Sequence, residues 1–330
     1  MPKLWFSYST VNGLDSDEPY NSPYSITWNL GRYLRRCALE CGYQFEYRNL
    51  DDKSPADLFH GDVVVGHTWW DGGFMDIALD SPAYKFILQP YQHYMVSEGD
   101  IPRLKQMFAK ADHLLLITGQ YWWDTMKDSP FADWQTKATR IDMAVNPNIH
   151  PLSKISWNEP GKRKFLAMGT DRPYKGLDEV AHLMQMSGAH LGYFGNALPE
   201  RFAHVPSFTH FGGALLNEVR QAHITSEYDF FITLGRADAN PTTLLEAACW
   251  GLIPLCNPRS GYWPEEPFIG LLDPGTPDAD GINLAVLEGL QDMKDRDLYK
   301  HQRRIRDYVI RNHSWEKFNR TVWAEIMKVL

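Results

Sequence analysis

Residues 226–257 (SEYDFFITLGRADANPTTLLEAACWGLIPLCN) constrain the fold most, because they read as strand, irregular loop, helix, strand. The run 230–234 (FFITL) is short, apolar and β-rich, as a buried parallel strand should be. The loop 235–241 carries Gly235 and Pro241 as breakers, with Asp238 and Asn240 as turn and cap formers. Thr242 or Thr243 can cap a helix over 244–250, which Gly251 ends. Residues 253–256 then begin a second buried strand. Such a βαβ unit starts its helix beside a strand's carboxyl end, where open α/β sheets bind ligands. Free loop N–H groups and the helix N-terminus favour an anion such as phosphate there.

Two acids occupy this unit, Asp238 in the loop and Glu246 one turn into the helix. Glu246 stands among apolar neighbours (LLEAACWG), and an unpaired buried carboxylate is costly, so it should face a cleft or a partner. An acid that merely complements the helix dipole is the bland alternative, and the residues alone leave both open.

The segment NPTTLLEAACWGLIPL resembles the acidic signature of retaining glycosyltransferases with the two-domain glycosyltransferase-B fold, the large family that includes sucrose synthases and mannosyltransferases. That signature places two Glu around seven residues, followed by a small-residue helix and a Gly-x-Pro strand. Here Asp238 stands at the first acid and Glu246 at the second. The resemblance implies that the first acid helps hold the donor sugar, that the second binds the nucleotide ribose, and that Asn240, Pro241 and Thr242 line the donor. Asp238 keeps the charge but is shorter than the family's Glu.

With 330 residues the chain has room for two ordinary domains. Hydrophobic content of 44% and charged content of 22% are those of a globular protein. A formal net charge of −8 argues against nucleic-acid binding, which needs basic surface. The four Cys show no zinc spacing, and a disulfide scaffold does not suit this size, so reduced thiols in the cytoplasm are expected. No signal peptide or membrane span is expected, since the apolar run after Lys3 has only a strand's length.

The chain opens with a strand at 4–9, a loop at 10–21 and an amphipathic helix at 25–40 closed by Gly42, the start of a Rossmann-like half. Gly13 sits where the resembled family has its glycine-bearing donor loop, reduced here to one Gly. A GxGxxG fingerprint is absent, which leaves a dinucleotide cofactor without support. Arg32, Arg35 and Arg36 form a small basic face: a solvated helix surface is the commoner outcome, and a peripheral contact with an anionic membrane surface is the other. Buried strands are expected at 62–67, 86–89 and 114–118. His67 and His93 each follow a strand, and the segment KFILQPYQHYM is similar to the Tyr-Phe-x-Gln segment of rhamnosyltransferase-like members. A loop histidine held by a hydrogen bond explains either as well; of the two, His93 is favoured as the donor-sugar residue. Residues 139–152 resemble the family's interdomain passage, which divides the chain into an acceptor domain at 1–150, a donor domain at 151–312 and a final helix at 313–330 that packs back on the first domain.

The second half opens with a strand at 164–168, a loop at 169–176 (GTDRPYKG) and a helix from 177. Lys and Arg in such a loop suit a diphosphate, one as a point charge and the other as a bidentate fork. The loop resembles the family's Gly-Arg…Lys-Gly diphosphate site: Lys175 matches, Thr170 stands where Arg is usual, and Arg172 is placed to supply the charge. Further strands are expected at 191–195, 208–212 and 269–273, and helices at 281–293, 296–311 and 314–330. The strings Asp15-Ser16-Asp17 and Asp278-Ala279-Asp280 lack the context of a metal-binding DxD.

The fold expected is therefore α/β, two Rossmann-like domains facing a cleft, with the C-terminal helix crossing back. The resemblance implies a retaining, metal-independent hexosyltransferase-type enzyme that moves a sugar from a nucleotide-sugar to an acceptor hydroxyl. It needs no cofactor beyond that donor, with Asp238, His93 and Lys175 as catalytic residues. A carbohydrate or lipid-linked acceptor, in glycan, polysaccharide or glycolipid assembly, completes that picture. A catalytically inactive nucleotide-sugar-binding protein on the same fold is the alternative, and a phosphorylase-like or epimerase activity the third.

Overall fold

The computed structural model describes residues 1–8, 25–54, 56–68, 73–94, 100–213, 218–262 and 266–330. They form two compact units, one of Met1–Thr118, Trp122–Asn146 and Ser314–Leu330, the other of Gly119–Tyr121 and Pro147–His313.

The first unit carries a six-stranded parallel sheet of β1 (Lys3–Ser7), β2 (Gln44–Tyr47), β3 (Val63–Gly66), β4 (Tyr84–Pro90), β5 (His113–Ile117) and β6 (Ala138–Ile141) in the order β2-β1-β3-β4-β5-β6. β3 (VVVG) is buried throughout, the run expected of a strand covered on both faces. Its helices are α1 (Ile26–Glu40), α2 (Phe74–Leu79), α3 (Asp100–Lys110) and the short α4 (Gln120–Thr125). Ser25 caps α1 by accepting from Trp28 N–H at 3.1 Å, and Leu30, Leu34, Cys37 and Ala38 form its buried stripe. Two strands are additional to the sequence expectation. β2 and β6 stand at the sheet's edges, where half-exposed residues replace the apolar run that marks an inner strand.

The second unit contains β7 (Lys164–Gly169), β8 (His190–Gly195), β9 (Phe208–His210), β10 (Phe230–Thr233), β11 (Ile253–Cys256) and β12 (Ile269–Gly270), all parallel, in the order β12-β11-β10-β7-β8-β9. Its helices are α5 (Leu177–Ser187), α6 (Glu218–Glu227), α7 (Thr242–Trp250), α8 (Ala279–Gln291) and α9 (Asp295–Asn312). The strands at 208 and 269 are shorter than the sequence suggests, because both lie at edges. α7 begins earlier than expected: Pro241 is its N-cap, with fixed φ −65°, and Thr242 and Thr243 lie inside the first turn rather than capping it. Gly251, at φ +96°, ends it as expected.

The last helix, α10 (Trp315–Ile326), returns to the first unit. Trp315, Phe318, Val322 and Ile326 are buried, and Asn319 donates to the Asn29 carbonyl of α1. Among the described residues no helix is long and apolar enough to cross a membrane.

Candidate active site

The strand order of the second unit decides where a ligand can enter. β7 pairs with β8 on one side and β10 on the other, so the chain reverses its direction of winding between β7 and β10. In open α/β sheets the two loops that leave such strands at their carboxyl ends frame the ligand crevice. Here they are 170–176 and 234–241, the two segments singled out in the sequence.

The first loop is held in one shape from several sides. Tyr193 Oη donates to the Gly169 carbonyl at 2.7 Å, and Asn196 Oδ1 accepts from Asp171 N–H at 2.7 Å. Arg201 clasps Asp171 and Asp178. The Tyr174 carbonyl accepts from Arg236 N–H at 2.9 Å and so ties the first loop to the second. Gly176 has φ +67°, and a Cβ there would stand 1.8 Å from the Leu234 carbonyl oxygen, so no larger residue allows the loops to close up.

The second loop hangs on the buried Asn257. Its Nδ2 donates to the Gly235 carbonyl and to Asp273, while Ser260 Oγ donates to Asn257 Oδ1 and accepts from Gly235 N–H. Asp238 N–H donates to the Arg259 carbonyl at 2.9 Å. With both loops fixed, Lys175 Nζ meets the buried Asp238 carboxylate at 2.5 Å. Sixty-three residues apart in sequence, the two form one charge pair at the switch point.

The same unit holds a pocket of ≈ 360 Å³, lined by Met168, Gly169, Thr170, Phe194 to Asn196, Gly213, Thr243, Glu246 and Trp250. Glu246 points into an apolar surrounding with its side chain 19% exposed. Burial pushes its carboxyl up to about 7. α7 is anchored at its far end, where Arg306 donates to the Cys249 carbonyl and Gln302 to the Gly251 carbonyl. Trp250 Nε1–H donates to His150 Nδ1 at 3.0 Å.

Of the residues expected from sequence, Lys175 with Asp238 form the pair, and Thr170 with Glu246 line the pocket. Asn240 is buried, Pro241 caps α7 and accepts from Tyr262 Oη, and Thr242 opens the helix. Arg172 is exposed, and no described residue pairs with it. Gly13, Asp15 and Asp17 lie outside the described residues. His93 belongs to the first unit, among Tyr91, Tyr94 and Trp122, with Nδ1 3.3 Å from Tyr91 Oη, and burial pushes it down to about 4. His67 stands at the carboxyl end of β3, edge-on to Tyr8 after β1, which is the first unit's own reversal of strand order. Phe194, Asn196, Trp250 and His150 were not named as site residues: Trp250 lies within the acidic-signature segment and His150 within the interdomain passage, and only their neighbours in the fold show a role. Among the described residues no three His, Cys, Asp or Glu side chains gather as a metal site.

No protein-family model matches the chain, and no curated protein matches it in sequence. Solved structures do. Sucrose-phosphate synthase from Thermosynechococcus elongatus superposes with a TM-score of 0.68 at 12% identity, covering 100% of this chain and 99% of its own. The fold is that of two-domain glycosyltransferases of the B type. The catalytic domain of starch synthase IV from Arabidopsis thaliana, bound to ADP and acarbose, gives 0.67 at 8% identity and 99% of both chains. HepE from Anabaena, in complex with UDP, gives 0.60 at 10% identity over 99% of this chain and 100% of its own. At such identities the likeness establishes the fold alone.

Proposed function

We propose that this chain is a glycosyltransferase of hexosyltransferase type. It takes a sugar from a nucleotide-sugar and passes it to the hydroxyl of a carbohydrate or lipid-linked acceptor, with retention and without a metal, at the cytoplasmic side. The observation that carries the reading is the pairing of Lys175 with Asp238 at the switch point of the second sheet, whose first loop and α7 also line a pocket through Thr170 and Glu246. Two structural neighbours hold ADP or UDP, which supports a nucleotide on this fold.

The chemistry follows from the charges. Breaking the sugar C1–oxygen bond leaves negative charge on the diphosphate, and Lys175, Arg172 and the N-terminus of α7 are the positive groups near the loops to receive it. Asp238 accepts from sugar hydroxyls and keeps Lys175 oriented. The new C1–oxygen bond forms on the face the diphosphate leaves, and the acceptor's proton passes to the departing phosphate oxygen, so no separate base is required. A carboxyl poised near neutrality, as Glu246 is, can accept from or donate to a ribose hydroxyl. Thr170 lines the pocket without a charge, which favours one second reading, a protein that binds the donor and does not turn it over.

Calorimetry with UDP-, GDP-, ADP- and dTDP-sugars, on the unchanged chain and on Lys175→Ala and Glu246→Gln, tests the proposal. Saturable binding of one nucleotide, weakened in both variants and accompanied by release of the nucleoside diphosphate, is expected. Binding without release would select the second reading, and binding of none would end both.

A further inference from the structure

His150 is 2% exposed and carried no expected role in the sequence, yet it stands between two pocket residues. On one side is Trp250, whose indole nitrogen can only donate. Its hydrogen bond to His150 Nδ1, at 3.0 Å, requires that nitrogen to be the acceptor. The neutral imidazole then has one tautomer left, with its proton on Nε2. That nitrogen lies 3.9 Å from Glu246 Oε1. The distance is beyond a hydrogen bond and within the reach of a small rotation about the Glu246 side-chain torsions. The histidine is itself held in place: Ser153 N–H and Lys154 N–H both donate to the Trp250 carbonyl, at 3.0 and 2.9 Å, which pins the segment that carries His150 to the end of α7. Trp250 is fully buried, so neither ring of the pair has room to turn away.

We infer that His150 is a positioning residue for the nucleotide: with its tautomer set by Trp250, it presents Nε2–H to one oxygen of Glu246 and so turns the other oxygen towards the pocket, where it meets the ribose hydroxyls. The inference rests on the nucleotide-sugar reading of the pocket. It makes ribose recognition a property of a three-residue relay, Trp250 to His150 to Glu246, instead of one acid. Neither Trp250 nor His150 needs to touch the ligand's ribose for this to hold.

Two substitutions separate the two ends of the imidazole. Asn places its oxygen where Nδ1 stands and keeps the bond from Trp250, but reaches no further; Gln extends a donor to the place of Nε2. UDP, ADP and GDP, each against its 2′-deoxy counterpart, would be titrated into the unchanged chain, His150→Asn, His150→Gln and Trp250→Phe, with the fold of each checked by circular dichroism. The inference expects His150→Asn to lose about tenfold in affinity for the preferred ribonucleotide, the size of one hydrogen bond, and to discriminate less against its deoxy form. His150→Gln should regain most of both, and Trp250→Phe should lose discrimination to a lesser degree. In a Glu246→Gln background the His150→Asn substitution should cost less than half as much. If the unchanged chain binds a nucleoside diphosphate and His150→Asn binds it equally well, the inference is wrong and the functional reading stands. An equal loss for Asn and Gln, or an undiminished loss in the Glu246→Gln background, would also overturn it by showing a packing effect. Absence of binding to the unchanged chain overturns both.

Discussion

Glu246→Gln should make this protein more stable above neutral pH while weakening its grip on a nucleotide. Burial holds the native carboxyl at about 7 against an ordinary 4.5. The native state therefore keeps a proton that the unfolded chain has released between those values, and stability falls as pH rises through that window. Above pH 7 the full difference applies, about 3 kcal/mol at 1.36 kcal/mol per pKa unit. The side chain is 19% exposed, so solvent screening removes little of it. Glutamine has the same shape and has no charge to desolvate. Urea unfolding of both proteins at several pH values, followed at α7 by hydrogen exchange so that the second unit is scored by itself, is the assay. The gain should approach ~3 kcal/mol at pH 8.5, equivalent to roughly 6–12 °C for a unit of this size, and shrink towards zero near pH 4.5. A variant that is no more stable at pH 8.5, or whose gain does not change with pH, would refute the account of Glu246 as a carboxyl kept at a cost for binding.

Three further outcomes are expected. His67, His93 and His150 are all pushed down to about 4 by burial, so the unfolded chain binds protons that the native one refuses between pH 6.5 and 4; stability should fall as pH drops through that window, and urea midpoints at pH 7 and 4.5 that coincide would contradict it. Gly176→Ala must adopt φ +67° and meet the Leu234 carbonyl at 1.8 Å, so it should cost at least about 1–3 kcal/mol and lower nucleotide affinity by displacing Lys175, both readable by melting and calorimetry. Lys154 and Asp229 form a fully buried ion pair at 3.0 Å, and Asp229 also accepts from Asn158 and Lys164 backbone N–H; Lys154→Met leaves that carboxylate without its cation and should cost about 3–5 kcal/mol in a urea titration, with less than 1 kcal/mol counting against it.

Much of the fold was legible from local pattern. The apolar runs FFITL and VVVG, the breakers Gly235, Pro241 and Gly251, and the stripe Trp315, Phe318, Val322, Ile326 each encode an element whose inner face must leave water. Edge strands escaped for the same reason: QFEY and ATRI bury only part of their surface, so their sequences carry no run to find. In the site, Lys175 and Asp238 could each be picked out beside a glycine-bearing loop, but not their contact, nor the exposure of Arg172.

What the sequence determined by itself was the alternation of strand and helix, because period and breakers act over a few residues, and the identity of the charged groups at strand ends. What tertiary structure alone decided was which strands became neighbours. Pairing β7 with both β8 and β10 put loops 170–176 and 234–241 side by side and brought Lys175 onto Asp238, and packing set Glu246, on the helix that also carries Trp250, against His150 from a distant stretch of chain. A carboxyl's proton affinity and an imidazole's tautomer depend on desolvation and on a partner 3–4 Å away, and no spacing along the chain records either.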